Sequence, residues 1–385
     1  MERYFSSHFT LGILGGGQLG KMLLYETRKY DIRTHILDPG SEAPGRLGCD
    51  RFFQGDLMDY DVVMDFGRQA DVITFEIEHI NVEALSQLEK EGKTVYPSSE
   101  TLRTVQDKGV QKQFYLDYEI PTAGFTLFKD KADLEKSISG HGAEFPFVWK
   151  STKGGYDGRG VRIIKKQEDV NELPDVACMM EKLIPFENEL AVIVARNPDG
   201  EIKSYPAVEM EFHPEANQVE YVICPARISD NISAKARKLA EKVSDAFRHV
   251  GLLAVEMFQT AEGEILVNEV APRPHNSGHY SIEGSYTNQF EQHLRAILDL
   301  PLGKTDSKTG AVMVNLVGEE GHRGNAKYQY IEKIMALPGV VPHIYGKKET
   351  RPFRKMGHVT IISKEIDEAR SIAEKVKDTI RVVSS

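Results

Sequence analysis

With 385 residues the chain is long enough for two or three domains with ample cores, and its 41% apolar and 28% charged residues are those of an ordinary globular protein. The net charge of −10 excludes a general nucleic-acid-binding surface, which needs clustered Lys and Arg, so no nucleic-acid partner is expected. Cys49, Cys178 and Cys224 are odd in number and far apart, and no run has the length of a signal peptide core or a membrane span; a reducing, cytoplasmic location without a membrane partner is expected.

Residues 9–14 read as an apolar strand, followed by the turn Gly15-Gly16-Gly17-Gln18-Leu19-Gly20 and a helical pattern from Lys21. Such a βα unit can hold an anion at its helix N-terminus. Residues 34–38 are the next strand, and Asp38 lies about where a dinucleotide-binding fold places its ribose-binding acid. The turn alone fits a nicotinamide site, another phosphate site, or close packing of a helix on a strand. A strand over residues 70–75 ends in Glu76-Ile77-Glu78-His79, at the carboxyl end where open α/β sheets bind ligands.

A polar helix then runs through Lys108 and Lys112 to Tyr118, and the first domain boundary falls near residue 110 or 120. Strands over residues 145–150 and 161–165 bracket a loop with four glycines, Lys153 and Arg159, and Lys150 stands just before it. Backbone N–H groups and positive charge of this kind can cover phosphates. The loop lacks the GKS or GKT of a P-loop and leads into a strand, not a helix; a solvated basic loop is the alternative. Residues 178–184 form a further strand, and residues 191–195 and 204–208 a hairpin. Ser233 is expected to cap a helix whose apolar stripe ends at Gly251, a core element. Beyond a helix over residues 290–298 and a linker over residues 305–310, a small β-rich unit finishes on a helix over residues 367–376 and carries a dense cationic turn at residues 351–358.

The chemistry concentrates where strands over residues 252–258 and 264–269 meet around Glu262-Gly263. A two-residue turn there places Glu256 opposite Glu269. Opposed like charges destabilise a half-buried sheet, so a compensating cation is the economical reading, and two carboxylates with open positions suit magnesium, which takes further oxygens from water and substrate phosphates. The alternative is a pair of solvated acids. Arg273, His275 and His279 follow within the same short run.

The glycine flap preceded by a lysine, the paired-carboxylate hairpin about 100 residues later and the N-terminal βα unit together resemble the ATP-grasp superfamily, whose two α+β lobes clamp ATP and magnesium to make an acyl phosphate. GILGGGQLGKM near the start, TFEIEHI at 74–80, GGYDGRG at 154–160, VNEVAPRPHNSGH at 267–279, QFEQHLRAILDLPLG at 289–303 and RPFRKMGHV at 351–359 are similar, in order and over nearly the whole chain, to signatures of its 5-(carboxyamino)imidazole ribonucleotide synthase family in purine biosynthesis. The resemblance implies a multidomain α/β and α+β chain: a Rossmann-like domain over residues 1–110, an ATP-grasp domain over 111–303 with its lid at 122–187, and a β-rich C-terminal domain over 304–385. It implies ATP- and bicarbonate-dependent carboxylation of the exocyclic amine of 5-aminoimidazole ribonucleotide through carboxyphosphate, with ATP and magnesium as cofactors and a homodimer as the assembly.

By the same resemblance Lys108, Lys150 and the flap residues Gly155, Tyr156, Asp157, Gly158, Arg159, Gly160 and Val161 meet the nucleotide's phosphates. Glu181, Lys182, Leu183 and Ile184 read adenine, Glu189 the ribose, and His213 and Asn268 lie near the nucleotide. Glu256 and Glu269 hold the metal. Gly16, Gly17, Gln18 and Leu19 hold the ribonucleotide's phosphate or ribose and Glu76 its aminoimidazole. Tyr156, Arg159, His275, Asn276, Arg354 and Lys355 contact substrate, and Asp157, Arg273 and Lys355 are catalytic, Asp157 orienting or deprotonating the amine. Two places depart from the pattern: Phe353 stands where the basic turn often has Gly, and residues 211–215 match loosely around His213. The alternatives are a sister ligase, such as formate-dependent glycinamide ribonucleotide transformylase or biotin carboxylase, a nicotinamide-dependent oxidoreductase, and a non-catalytic nucleotide sensor.

Overall fold

The computed structural model describes residues 4, 6–141, 144–154, 160–213 and 218–385. Strands β1 (Thr10–Leu14), β2 (Arg33–Asp38), β3 (Arg51–Gln54), β4 (Val72–Phe75) and β5 (Thr94–Val95) form a parallel sheet in the order β3-β2-β1-β4-β5. Every residue of β1 and β4 is buried, as continuous apolar strands covered on both faces must be. Strand order reverses between β1 and β4, so the glycine turn after β1 and Glu76 after β4 meet in one crevice.

The polar helix expected to reach Tyr118 is two helices, Ser99–Gln106 and Lys108–Asp117. Asp107 interrupts them with an extended backbone and caps the second by accepting from the N–H groups of Gly109 and Val110. Strands β6 (Phe125–Phe128), β7 (Phe147–Ser151), β8 (Val161–Ile164) and β9 (Cys178–Lys182) make a small antiparallel sheet in the order β6-β9-β7-β8. It closes over a larger antiparallel sheet.

That larger sheet contains β10 (Phe186–Arg196), β11 (Ile202–Ser204), β12 (Val208–Phe212), β13 (Val219–Cys224), β14 (Gly251–Thr260) and β15 (Ile265–Ala271). The Asp230–Phe247 helix packs Ala236, Ala240 and Val243 against Leu190, Val192, Leu253 and Val255, and each buried Val or Leu side chain contributes about 1.5–3 kcal/mol. Its cap is Ser229, which accepts from Ile232 N–H, and not Ser233; Arg248 in a left-handed conformation ends it before Gly251. The C-terminal part adds β16 (Gly310–Val317), β17 (Gly324–Gln329), β18 (Val340–Ile344), β19 (Glu349–Thr350), β20 (Lys355–Ser363) and β21 (Arg381–Ser384). Pairing of β13 with β16 carries the large sheet on through β20 to β18, while β19, β17 and β21 form a three-stranded sheet. The chain closes on β21 after the Ile366–Thr379 helix.

Candidate active site

Among the described residues, Lys108, Lys112 and Lys150 meet in the cleft between the two antiparallel sheets. Lys108 opens its helix and pairs with Glu269, while Lys150 on β7 lies 2.6 Å from Glu181 Oε2 and donates to Asn268 Oδ1 at 3.0 Å. Lys112, one helical turn beyond Lys108, lies 2.7 Å from Glu181 Oε1. Glu181 is buried on β9; burial opposes its ionisation, but Lys150 and Lys112 outweigh burial and hold its carboxyl below the ordinary range. Pairing of β9 with β7 ends at Lys182, which leaves Leu183 and Ile184 beyond the ladder at the cleft's rim.

Glu256 on β14 is paired with Glu269 on β15. The loop between the strands has three residues, however, not two: Gly263 N–H donates to Thr260 O and Gly263 takes φ +74°. Near the loop the register is therefore displaced by one, with Met257 opposite Val267, and a bulge at Asn268 restores it at Glu256 and Glu269. Glu189 on β10 lies two residues from Ala191, the partner of Glu256, so alternation puts all three acids on one face. Burial, reinforced by Glu269 and Glu189, pushes the Glu256 carboxyl up, and burial pushes that of Glu189 to about 7; Lys108 holds that of Glu269 down.

Beyond β15 the loop from Pro272 is clamped from behind. Gln289, fully buried, accepts from His275 N–H and donates to His275 O, both at 2.8 Å. Ser277 N–H donates to His275 Nδ1, which leaves the proton on Nε2, 3.3 Å from Glu256 Oε1. Arg273 lies 3.0 Å from Glu78. Asn276, expected at the substrate, forms a reciprocal amide pair with Asn315 of β16, 2.9 Å in each direction, and so ties the loop to the sheet. His279 is buried against His358 and belongs to the packing.

The glycine turn also differs from an open anion cradle. Glu76 accepts from the N–H groups of Gly17, Leu19 and Gly20 at 2.7, 3.1 and 3.1 Å, and Asp38 accepts from Gly16 N–H at 2.7 Å. Gln18 opens the helix behind them. Carboxylates of the protein thus fill the place of an anion, and Asp38 serves the turn, not a ribose as its spacing suggested. Burial drives the Glu76 carboxyl up to about 7 despite those hydrogen bonds.

In the cationic turn Phe353 takes φ +60°, the left-handed region that Gly favours, and its ring meets that of His213 edge-on at 5.8 Å. Arg354 donates to Glu349 O at 2.7 Å. Lys355 starts β20 and contributes a positive charge felt by Glu256. The flap residues Gly155, Tyr156, Asp157, Gly158 and Arg159 lie outside the described residues, which resume at Gly160, followed by Val161 on β8. Sequence reasoning missed Lys112, Glu78, Ser277, Gln289 and Asn315 as members of this site. Lys112 carried a signal in its helical spacing from Lys108, and Glu78 in its place at the carboxyl end of a strand.

Residues 8–106 match the ribonucleotide synthetase preATP-grasp domain, residues 113–290 the ATP-grasp domain, and residues 311–372 the phosphoribosylaminoimidazole carboxylase C-terminal domain. The N5-carboxyaminoimidazole ribonucleotide synthase of Bacillus subtilis is 36% identical, over 93% of this chain and 92% of its own length. The structure of N5-carboxyaminoimidazole ribonucleotide synthetase from Thermotoga maritima superposes with a TM-score of 0.90 at 43% identity, covering 98% of this chain and 100% of that one. The Aspergillus clavatus N5-carboxyaminoimidazole synthase, solved with ADP and 5-aminoimidazole ribonucleotide, superposes with a TM-score of 0.87 at 34% identity over 96% and 98% of the two chains. The chain also matches longer phosphoribosylaminoimidazole carboxylases, of whose length it spans 64% to 69%.

Proposed function

The chain belongs to the N5-carboxyaminoimidazole ribonucleotide synthases of the ATP-grasp superfamily, and from that premise we infer that it carboxylates the exocyclic amine of 5-aminoimidazole ribonucleotide with ATP and bicarbonate in purine biosynthesis. The observation that carries this reading is the convergence of Lys108, Lys150, Asn268, Glu256 and Glu269 on one cleft between lid and central sheet. A bicarbonate oxygen attacks the γ-phosphorus of ATP and ADP leaves; the amine then attacks the carboxyl carbon, phosphate leaves, and the amine gives up a proton. Phosphoryl transfer asks the protein chiefly for positioning and charge neutralisation, which Lys108 and Lys150 supply. Closure of the flap, with Tyr156 and Arg159, keeps water from the carboxyphosphate. Asp157 orients the amine or accepts its proton.

Arg273 and Lys355 provide cations for bicarbonate and the new carboxylate, and His275 is fixed between Ser277 and Glu256 to meet the substrate. Glu76 suits a hydroxyl or amine donor better than a phosphate, so the ribose, not the phosphate, is placed against the turn from Gly16 to Leu19. The donor set of Glu256 and Glu269 fits magnesium: two hard carboxylates on adjacent strands, one of them kept from ionising by burial and by its acidic neighbours, are short of a cation. Held by Glu256 and Glu269, magnesium would supply positive charge that neutralises the phosphates. A homodimer and a cytoplasmic location complete the proposal; the free thiols of Cys49, Cys178 and Cys224 support a reducing compartment, and sedimentation tests the dimer. The deciding assay follows ADP release in bicarbonate-depleted buffer with bicarbonate or formate added back. Release that requires bicarbonate and 5-aminoimidazole ribonucleotide is expected, and stimulation by formate with glycinamide ribonucleotide overturns the reading.

A further inference from the structure

Lys112 is buried in the cleft, and the reaction described above makes no use of it. Its ammonium lies 2.7 Å from Glu181 Oε1 and donates to Thr122 Oγ1 at 2.5 Å; Thr122 in turn donates to Val267 O at 2.7 Å, one residue before the bulge that aims Asn268 and Glu269. One side chain therefore joins its own helix, the lid strand β9 and the carboxylate-bearing strand β15. Glu181 is shared: Lys112 holds one oxygen and Lys150 lies 2.6 Å from the other, with both Lys112 and Glu181 only 4% exposed at the side chain.

The sharing has a consequence for nucleotide binding. When a polyphosphate draws Lys150 away, Glu181 loses one of its two counter-ions, and a buried carboxylate left with none is strongly unfavourable. We propose that Lys112 is a positioning residue for the nucleotide: by keeping Glu181 neutralised, it lets Lys150 turn from Glu181 to the phosphates. This rests on the nucleotide reading of the cleft. Without Lys112, Lys150 is the sole counter-ion of Glu181 among the described residues and is held back from the phosphates.

The test uses the full-length enzyme and four forms: wild type, Lys112→Met, Glu181→Gln and the double variant. Calorimetry with ADP and magnesium gives Kd, and steady-state kinetics give KM for ATP and kcat. Lys112→Met should raise both Kd and KM by roughly tenfold or more, with kcat at saturating ATP changed far less, because the lost interaction governs binding. In the Glu181→Gln background the same Lys112→Met change should alter KM by less than about threefold, a loss of effect that a purely structural role for Lys112 does not produce. Unchanged KM in Lys112→Met, or the same tenfold effect of Lys112→Met in both backgrounds, overturns the proposal. If Lys112→Met does not fold, the double variant is read against Glu181→Gln alone, equal KM supporting the proposal and a KM about tenfold higher overturning it. Wild-type enzyme without affinity for ADP would instead overturn the nucleotide reading itself.

Discussion

A single methyl group at Gly278 is expected to loosen the catalytic loop. An ideal Cβ there lies 2.4 Å from Gln289 Oε1 and 2.6 Å from its Cδ, closer than real Cβ contacts come, so the amide must move. Gln289 is fully buried and has no solvent to swing into. Its Oε1 accepts from His275 N–H and its Nε2 donates to His275 O, both at 2.8 Å, with His279 Nδ1 a further 2.9 Å contact. Displacing the amide breaks two buried hydrogen bonds at about 1–3 kcal/mol each, about 2–6 kcal/mol together, and partial relaxation sets the expected loss for Gly278→Ala at about 3 kcal/mol, in the lower half of that range. That is roughly two orders of magnitude in the unfolding equilibrium. Turnover should fall with it, because the same clamp sets the ring of His275 3.3 Å from Glu256. Thermal unfolding and substrate-dependent ADP release are the two readouts. Gln289→Asn in the same chain shortens the side chain by one methylene and should recover part of the stability. A Gly278→Ala enzyme with wild-type melting and wild-type turnover refutes the clamp.

At Phe353 the usual order of helix- and loop-compatible residues should invert: φ +60° costs a side-chain-bearing residue about 1–2 kcal/mol, so Phe353→Gly should be more stable to urea than Phe353→Ala, and the reverse order counts against strain at this turn. Glu269→Gln should abolish most turnover yet stay folded, because the loss of the Lys108 pair is offset by relief of repulsion on Glu256; near-wild-type activity at saturating magnesium would sink the metal-site assignment. Glu76 has a folded-state pKa of about 7, raised by burial above its ordinary 4.5, so its proton-linked contribution to stability is full below about pH 4.5 and is lost as pH rises through about 7. Glu76→Gln should remove that slope between pH 4.5 and 7 while destabilising the turn, since an amide nitrogen facing the N–H groups of Leu19 and Gly20 cannot accept from them; an unchanged stability–pH curve contradicts the burial argument.

Much of the fold was legible because it rests on local patterns: apolar runs for β1 and β4, turn residues for the hairpins, a stripe for the Asp230–Phe247 helix. Its cap was misread because Ser229 and Ser233 are both good caps and only the backbone tells which one stands in an extended conformation. The break at Asp107 was missed for a similar reason: two consecutive helices share one polar pattern, and it is the extended backbone at Asp107, not its neighbours' propensity, that turns Lys108 toward Glu269. Gln289 and Asn315 were out of reach because each acts through a partner distant in sequence, and so was the pairing of Glu78 with Arg273. Even the glycine turn, readable as a motif, concealed its occupant: the carboxylate that fills it comes from Glu76, 57 residues beyond Leu19.

The opposed acids show how a correct contact can follow from an incorrect turn. A two-residue loop at Glu262-Gly263 pairs Glu256 with Glu269 along a regular ladder, but the real loop has three residues, and a regular ladder from it would set Glu256 against Asn268. The one-residue bulge cancels the one-residue loop. Its value lies in more than register: on a regular strand Asn268 and Glu269 would face opposite sides of the sheet, whereas here Asn268 accepts from Lys150 and Glu269 pairs with Lys108 in one cleft. Deleting Asn268 separates the two effects, because the shortened strand still sets Glu256 opposite Glu269 while losing the bend and the Lys150 contact. Such a variant should fold and keep the carboxylate pair, yet bind ADP more weakly than wild type by roughly tenfold, the loss of one charge-assisted hydrogen bond at about 1.5 kcal/mol. Calorimetric titration with ADP and magnesium reads the difference, and affinity equal to wild type would mean that the bulge serves the register alone.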